Sequence, residues 1–149
     1  MVGYSMKMDP EKTAKSIGFE MPISLKDSVV VCDSLRGQML DDATKYLKEV
    51  IDKKRAVPYK RFNSSISHRK GGFIGRYPVK VAKHILEVLV NVESNAEHKD
   101  LDTENLRIKH IAAQKGRTIK RSRPRAHGRS SAINRDRVNI EIIVEEVEA

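Results

Sequence analysis

The sequence has one cysteine, no tryptophan, and aromatic residues at only 5% of its 149 positions. A single thiol, Cys32, excludes an internal disulfide and any metal cage built from several cysteines, and it suits a reducing cytosol. The five histidines (His68, His84, His98, His110, His127) are scattered. None shows the short paired spacing of a zinc site, so no metal is expected. No apolar run approaches the ~18 residues needed to span a bilayer, and the first fifteen residues lack the apolar segment of a secretory signal. The reading is a cytoplasmic protein with no membrane partner.

Catalytic signals are missing as well. The stretch Gly71-Gly72-Phe73-Ile74-Gly75-Arg76 lacks the Gly-Lys-Ser/Thr ending of a phosphate loop and follows no apolar strand. The adjacent acids Asp41, Asp42, Glu145 and Glu146 are explained by a helix start and a charged terminus rather than by acid/base work. Cys32 has no neighbouring His or cation to favour its thiolate and reads as core. No enzyme and no cofactor is expected.

Acid is absent from two long windows. Residues 53–86 carry ten Lys/Arg and no Asp/Glu, and residues 105–135 carry ten more, again with no acid. Twenty of the 29 basic residues lie in these windows, leaving nine beside all 20 acids, so the remainder has a formal charge of −11 against a total of +9. A solubilising surface normally mixes signs. Segregation on this scale calls for a polyanion, and nucleic acid is the densest one available.

What is present is one domain over residues 1–149, of α+β class: three helices packed on a small antiparallel sheet, with a basic loop at 58–78 and a long extended hairpin at 105–140 projecting from the body. Ile17, Phe19, Met21 and Ile23 alternate as in a half-buried outer strand. Ser24 and Asp27 cap a first helix that runs to Arg36 before Gly37, with Leu25, Val29, Cys32 and Leu35 on one face. A second helix spans about Leu40 to Lys54, with Leu40, Ala43, Leu47 and Val50/Ile51 inward and charges of the stabilising sign at both ends. Pro78 opens a third helix whose Val81, Ile85, Val88, Leu89, Val92 and Ala96 make a continuous apolar stripe. Single stripes suffice for a monomer, and no homo-oligomer is expected.

From Leu101 the period changes to two, with Leu106 and Ile108 on one strand and Val138, Ile140, Ile142 and Val144 on the other. Pairing Leu106 with Ile142 and Ile108 with Ile140 puts the turn near Pro124, a residue suited to turns and disruptive in a ladder. Gln114 to Ala132 has too few apolar residues to offset its own ordering entropy. It is expected to be an antiparallel arm of around fifteen residues reaching roughly 50 Å, ordered by its partner.

Candidate RNA contacts on this arm are Lys115, Arg117, Lys120, Arg121, Arg123, Arg125, Arg129 and Arg135. Guanidinium suits phosphate, which it grips with two parallel hydrogen bonds, and it also stacks on bases. Gly116 and Gly128 would let backbone and phosphate approach closely. In the loop at 58–78, Lys60, Arg61, Arg69, Lys70 and Arg76 are interleaved with Tyr59, Phe62, Phe73 and Tyr77, a mixture that suits irregular RNA; the rings could instead anchor the loop to its own domain. The rival reading is a DNA architectural protein with basic β-arms. Such proteins insert apolar wedges at the tip, whereas Arg123-Pro124-Arg125 stands here.

Lys120, then Arg125-Ala126-His127-Gly128-Arg129, an interval of nine residues, and Asn139-Ile140-Glu141-Ile142-Ile143-Val144 together resemble the C-terminal motif of the large-subunit ribosomal protein L-twenty-two family. Ser24-Leu25, Leu35-Arg36-Gly37 and Ser94-Asn95-Ala96 extend the resemblance over nearly the whole chain. The insert from Tyr59 to Tyr77 resembles the archaeal and eukaryotic branch, whose eukaryotic member is called L-seventeen. The lack of a long C-terminal tail favours the archaeal form, and the basic balance a non-halophilic one.

The resemblance implies a structural protein of the large ribosomal subunit, bound to large-subunit rRNA and to neighbouring large-subunit ribosomal proteins. It implies a body near the exit of the peptide tunnel and a hairpin lining that tunnel beside the nascent polypeptide. Lys120, Arg121, Ser122, Arg123, Pro124, Arg125, Ala126, His127 and Gly128 would form the tip, with Arg129 on the returning strand. One departure stands at the base of that strand, where Asp136 and Arg137 replace the basic and small polar residues frequent in bacterial members.

Overall fold

Three antiparallel strands carry the architecture of the chain, whose computed structural model describes residues 3–147. They are β1 (Thr13–Met21), β4 (Leu106–Ile119) and β7 (Arg135–Glu146), in the order β1-β7-β4. Three helices cover one face: α1 (Leu25–Leu35), α2 (Leu40–Ile51) and α3 (Val79–Glu97). Helix α3 lies across β1 and β7, α1 lies against β4, and α2 packs on α3. Two short ribbons complete the chain, β2 (Val57–Pro58) with β3 (Gly75–Arg76), and β5 (Ser122–Pro124) with β6 (Ser130–Ala132). No helix among the described residues is long and apolar enough to cross a membrane.

The stripe of α3 is buried as its periodicity predicts: Val81, Ile85, Val88, Leu89, Val92 and Ala96 are all at most 3% exposed. Each large side chain so buried contributes about 1.5–3 kcal/mol. Pro78 is the N-cap rather than the first helical residue, its carbonyl accepting from Ala82 N–H at 2.9 Å. Near the other end, Asn95 Nδ2 donates to the Lys15 carbonyl at 3.0 Å and ties α3 to β1.

Helix α1 starts as expected, with the Ser24 hydroxyl accepting from Asp27 N–H. It ends at Arg36, and Gly37 follows at φ +81°, a left-handed conformation that a side chain would strain. Its buried face differs from expectation. Ser28, Val30, Val31, Cys32 and Leu35 are buried, whereas Leu25 and Val29 are half-covered. The helix is sandwiched between β4 and the β2–β3 ribbon, so two of its sides are covered and a single-stripe reading fails. The ribbon-side cover comes from a loop whose packing no helical periodicity encodes.

Helix α2 closes at Ile51 rather than Lys54. Lys53 takes a left-handed φ of +60°, and Lys54 N–H reaches back to the Glu49 carbonyl. Tyr46 joins its buried face. The link between α1 and α2 adds to the free edge of β4, through Gly37 N–H to Ile108 O (3.0 Å) and Ile108 N–H to Gln38 O (2.9 Å).

Strand β1 is the outer strand expected, but it begins at Thr13 and presents the other face. Ala14 and Ser16 are buried toward the helices while Phe19 is 53% exposed. A bulge between Gly18 and Met21, with Glu20 at φ +46°, flips the alternation so that Met21 and Ile23 turn back inward. One inserted residue therefore divides a pattern that reads as continuous in the sequence.

Candidate nucleic-acid interface

The long hairpin is formed by β4 and β7 and prolonged by β5 and β6. Its register differs from that suggested by matching apolar positions. Leu106 faces Glu146 and Ile108 faces Val144, and the ladder is shifted again at irregularities between Ile108 and His110 and between Lys115 and Thr118. The turn therefore falls at Ala126–Gly128, not at Pro124, which pairs with Ser130 inside the β5–β6 ribbon. The apolar match misled because β7 is buried on both faces, with Ile140, Glu141, Ile142, Ile143 and Val144 all at most 3% exposed. Such a strand has no polar face to set its phase.

His127 and Gly128 both adopt left-handed conformations at the turn (φ +57° and +67°), which the Arg125 N–H closes onto the Arg129 carbonyl at 2.8 Å. A Cβ on Gly128 would meet nothing within 4 Å, so its role is conformational. Gly116 is small for a reason internal to the ribbon. A Cβ there would lie 3.0 Å from Asn139 Oδ1 and 3.2 Å from the Arg137 carbonyl, the same Asn139 oxygen that accepts from Glu20 N–H across the β1 bulge.

From Gln114 to Arg137 no residue is buried. The charges along this arm change with distance from the body. At its root, Glu145 holds both Arg107 and Lys109, and these contacts keep its carboxyl below the usual carboxylate range. Where the arm leaves the body, Asp136 accepts from the Thr118 hydroxyl at 2.6 Å and pairs with Lys115 at 3.3 Å. The Thr118 bond first and Lys115 second hold Asp136 low. The departure at Asp136 thus has a local role beside the second irregularity. Arg117 and Arg137 beside this pair, and Lys120, Arg121, Arg123, Arg125, Arg129 and Arg135 farther out, have no carboxylate partner among the described residues; Arg125 Nε reaches the Ser131 hydroxyl at 3.3 Å. Neutralisation thus ends just beyond burial, at the Lys115–Asp136 pair.

The second basic surface is the loop between β2 and β3. Tyr59 anchors it: the ring is 4% exposed and its hydroxyl donates to Asp27 Oδ1 at 2.7 Å. Burial first, then that carboxylate, push its pKa up. Arg69 is fixed by an Nε bond to the Gly75 carbonyl (2.8 Å), with its guanidinium 4.9 Å from the Tyr77 ring centre. Phe62 and Phe73 remain exposed, so one ring of the four serves fully as an internal anchor. Arg61 stands 3.9 Å from Asp33, whereas Lys60, Lys70 and Arg76 have no carboxylate partner among the described residues. Tyr46 and Arg55, which sequence reasoning did not nominate, meet beside this loop with the guanidinium 4.7 Å from the ring. An aromatic on a helical stripe reads simply as core, and nothing in the sequence sets it against a loop residue.

Among the described residues, Ser5, His110 and Glu141 form the one cluster that resembles a catalytic triad in composition. Ser5 Oγ donates to Glu141 Oε1, while His110 Nε2 lies 3.1 Å from Ser5 Oγ and 2.8 Å from the same carboxylate oxygen. One ring nitrogen faces both partners, so no relay runs from carboxylate through imidazole to hydroxyl. The cluster fastens the N-terminal segment to the sheet. Burial pushes the Glu141 carboxyl up, but the Ser5 and His110 bonds together outweigh it and leave it below its ordinary value. Cys32 is 1% exposed with its thiol pushed up to about 12, chiefly by burial. No group of three or more His, Cys, Asp or Glu that could hold a metal occurs among the described residues.

A family profile for ribosomal protein L22p/L17e matches residues 16–145. Curated relatives called large ribosomal subunit protein uL22 are similar along nearly their full length. That of Archaeoglobus fulgidus is 46% identical, covering 97% of this chain and 96% of its own. The Thermoplasma acidophilum protein is 51% identical (98% and 96%), and the Methanocaldococcus jannaschii protein 47% identical (96% and 94%).

Proposed function

Since this chain belongs to the ribosomal protein L22p/L17e family, we propose that its basic hairpin and loop hold large-subunit rRNA, with the hairpin embedded among phosphates. Membership makes the chain a structural constituent of the large ribosomal subunit in the cytoplasm, and not an enzyme. It also sets aside the reading as a DNA architectural protein.

The observation that carries the proposal is the arm from Gln114 to Arg137, which has no buried residue and, besides the Lys115–Asp136 pair, eight cations without a carboxylate partner among the described residues. A ribbon of that kind repels itself and lacks a core of its own; rRNA supplies the phosphates that neutralise it. Arg117, Arg121, Arg123, Arg125, Arg129 and Arg135 grip phosphate and stack on bases, and Lys120 pairs with phosphate as a point charge. Lys115, half-exposed beside Asp136, adds its ammonium at the base of the arm. On the body, Lys60, Arg61, Arg69, Lys70 and Arg76 make the second contact. On this reading the body lies near the exit of the peptide tunnel against neighbouring ribosomal proteins, and the tip, Lys120 to Gly128, meets the nascent polypeptide at the tunnel wall.

Sedimentation of a tagged chain through a sucrose gradient tests the assignment. The chain is expected with large subunits, and ultraviolet crosslinking within that fraction should join residues 117–135 to rRNA. Recovery of those residues crosslinked only to protein, or of the chain outside the large subunit, contradicts it.

A further inference from the structure

We propose that the groove between α1, α2 and the β2–β3 loop is a receptor for a single RNA nucleotide turned out of its stack, its base against Phe73 and Tyr77 and its phosphate among Lys60, Arg61 and Lys70. The inference rests on the rRNA-binding reading and adds to it a defined ligand and place. The groove has a volume of about 860 Å³, within the ~300–1,000 Å³ of small-molecule sites. Six cations line it (Lys54, Arg55, Lys60, Arg61, Arg69 and Lys70) against one carboxylate, Asp33. Asp33 is already engaged by Arg36 at 3.4 Å and Arg61 at 3.9 Å. Lys54 and Arg55 are paired with Asp52 at 3.2 Å and Glu49 at 3.5 Å, which leaves Lys60, Arg61, Arg69 and Lys70 as the cations open to an anion.

Charge alone would fit an acidic peptide equally well, and the rings decide between the two. Phe73 is 38% exposed, lines the groove and lies against Gly75, where a Cβ would come within 2.8 Å of the ring edge, so only glycine leaves room for the ring there. Tyr77 already carries the Arg69 guanidinium at 4.9 Å, a planar cation held by the Gly75 carbonyl. Flat aromatic and guanidinium faces beside ammonium groups are the surfaces on which an unstacked base is held, and carboxylate side chains have no use for them. Tyr46, 6% exposed on the groove's α2 side, has a hydroxyl with no well-aligned hydrogen-bond partner. Burial pushes its pKa up, and the nearby Ser34 side chain offsets this only in part. A buried polar group left open in this way calls for a partner.

The test uses the full chain with labelled aromatic rings, titrated with hexaadenylate RNA, with an abasic ribose-phosphate hexamer and with a hexaglutamate peptide. The Phe73 and Tyr77 ring signals are expected to shift with hexaadenylate and to stay in place with the other two. Phe73→Leu, which keeps an apolar cover on Gly75 but removes the ring, should weaken hexaadenylate binding about tenfold without changing the melting temperature, and it should leave abasic binding unaltered. Ring signals that ignore hexaadenylate while hairpin arginine signals move would overturn the groove inference and leave the rRNA reading intact. Hexaglutamate moving the rings as RNA does would assign the groove to an acidic peptide. Silence of groove and hairpin alike toward RNA would remove the rRNA reading, and the inference with it.

Discussion

A methyl group at residue 18 would have no room: it would stand 2.8 Å from Val88 Cγ2 and closer still to Met21 Cε. The methionine end can move, but the β-branched Val88, 2% exposed on α3, cannot. Gly18→Ala should therefore lower unfolding free energy by about 1–3 kcal/mol, seen as a lower urea midpoint with an unchanged slope. Glu141 makes a second residue-scale prediction. Its folded-state pKa lies below the ordinary value of 4.5, so its contribution is complete above that value and is lost as pH falls through the folded one. The wild-type chain should lose stability on acidification below pH ~4.5, and Glu141→Gln should lose less over the same interval, by thermal melts at stepped pH. Nothing in the run Asn139 to Val144 marks Glu141 as buried, because alternation assigns it to the solvent face; the Ser5 contact that covers it comes from 136 positions away.

Among the elements, α3 was the most legible, since six apolar residues at helical spacing allow a single orientation against a sheet. The caps of α1 were equally plain, because Ser24 and Gly37 act through local backbone geometry. Strand phase was not legible. The bulge after Gly18 and the shift near Gly116 lie beside cross-strand partners, Asn139 and Asp136, so the face of β1 and the position of the hairpin turn escaped a pattern read along one strand. The basic arm was legible as a composition, and its gradient of neutralisation, from Glu145 through Asp136 to none, emerged only once the strands were paired. Backbone order parameters of the free protein should be near ~0.85 in α3 and in the body end of β7, and under ~0.6 from Arg117 to Arg129. Rigid values along the arm would mean that it holds itself without RNA, contrary to its lack of buried residues.

At the scale of the whole molecule, the chain separates two tasks. Apolar burial in the three-layer contact of α2, α3 and the sheet stabilises a body in which Arg36, Lys45, Lys54, Arg55, Arg107 and Lys109 each stand beside a carboxylate. The arm and the β2–β3 loop concentrate cations without carboxylate partners among the described residues. Affinity for deproteinised large-subunit rRNA should then depend on salt through the arm in particular, because each phosphate neutralised releases counterions. The decisive measurement is the slope of log affinity against log salt for the wild type, for the variant with Arg121, Arg123, Arg125 and Arg129 all replaced by Gln, and for the Arg107→Gln/Lys109→Gln variant. The first replacement should make the slope shallower by about 3, whereas the second, at cations already held by Glu145, should leave it nearly unchanged. Equal slopes for the wild type and the four-arginine variant would contradict the claim that this ribbon exists to be held by phosphates.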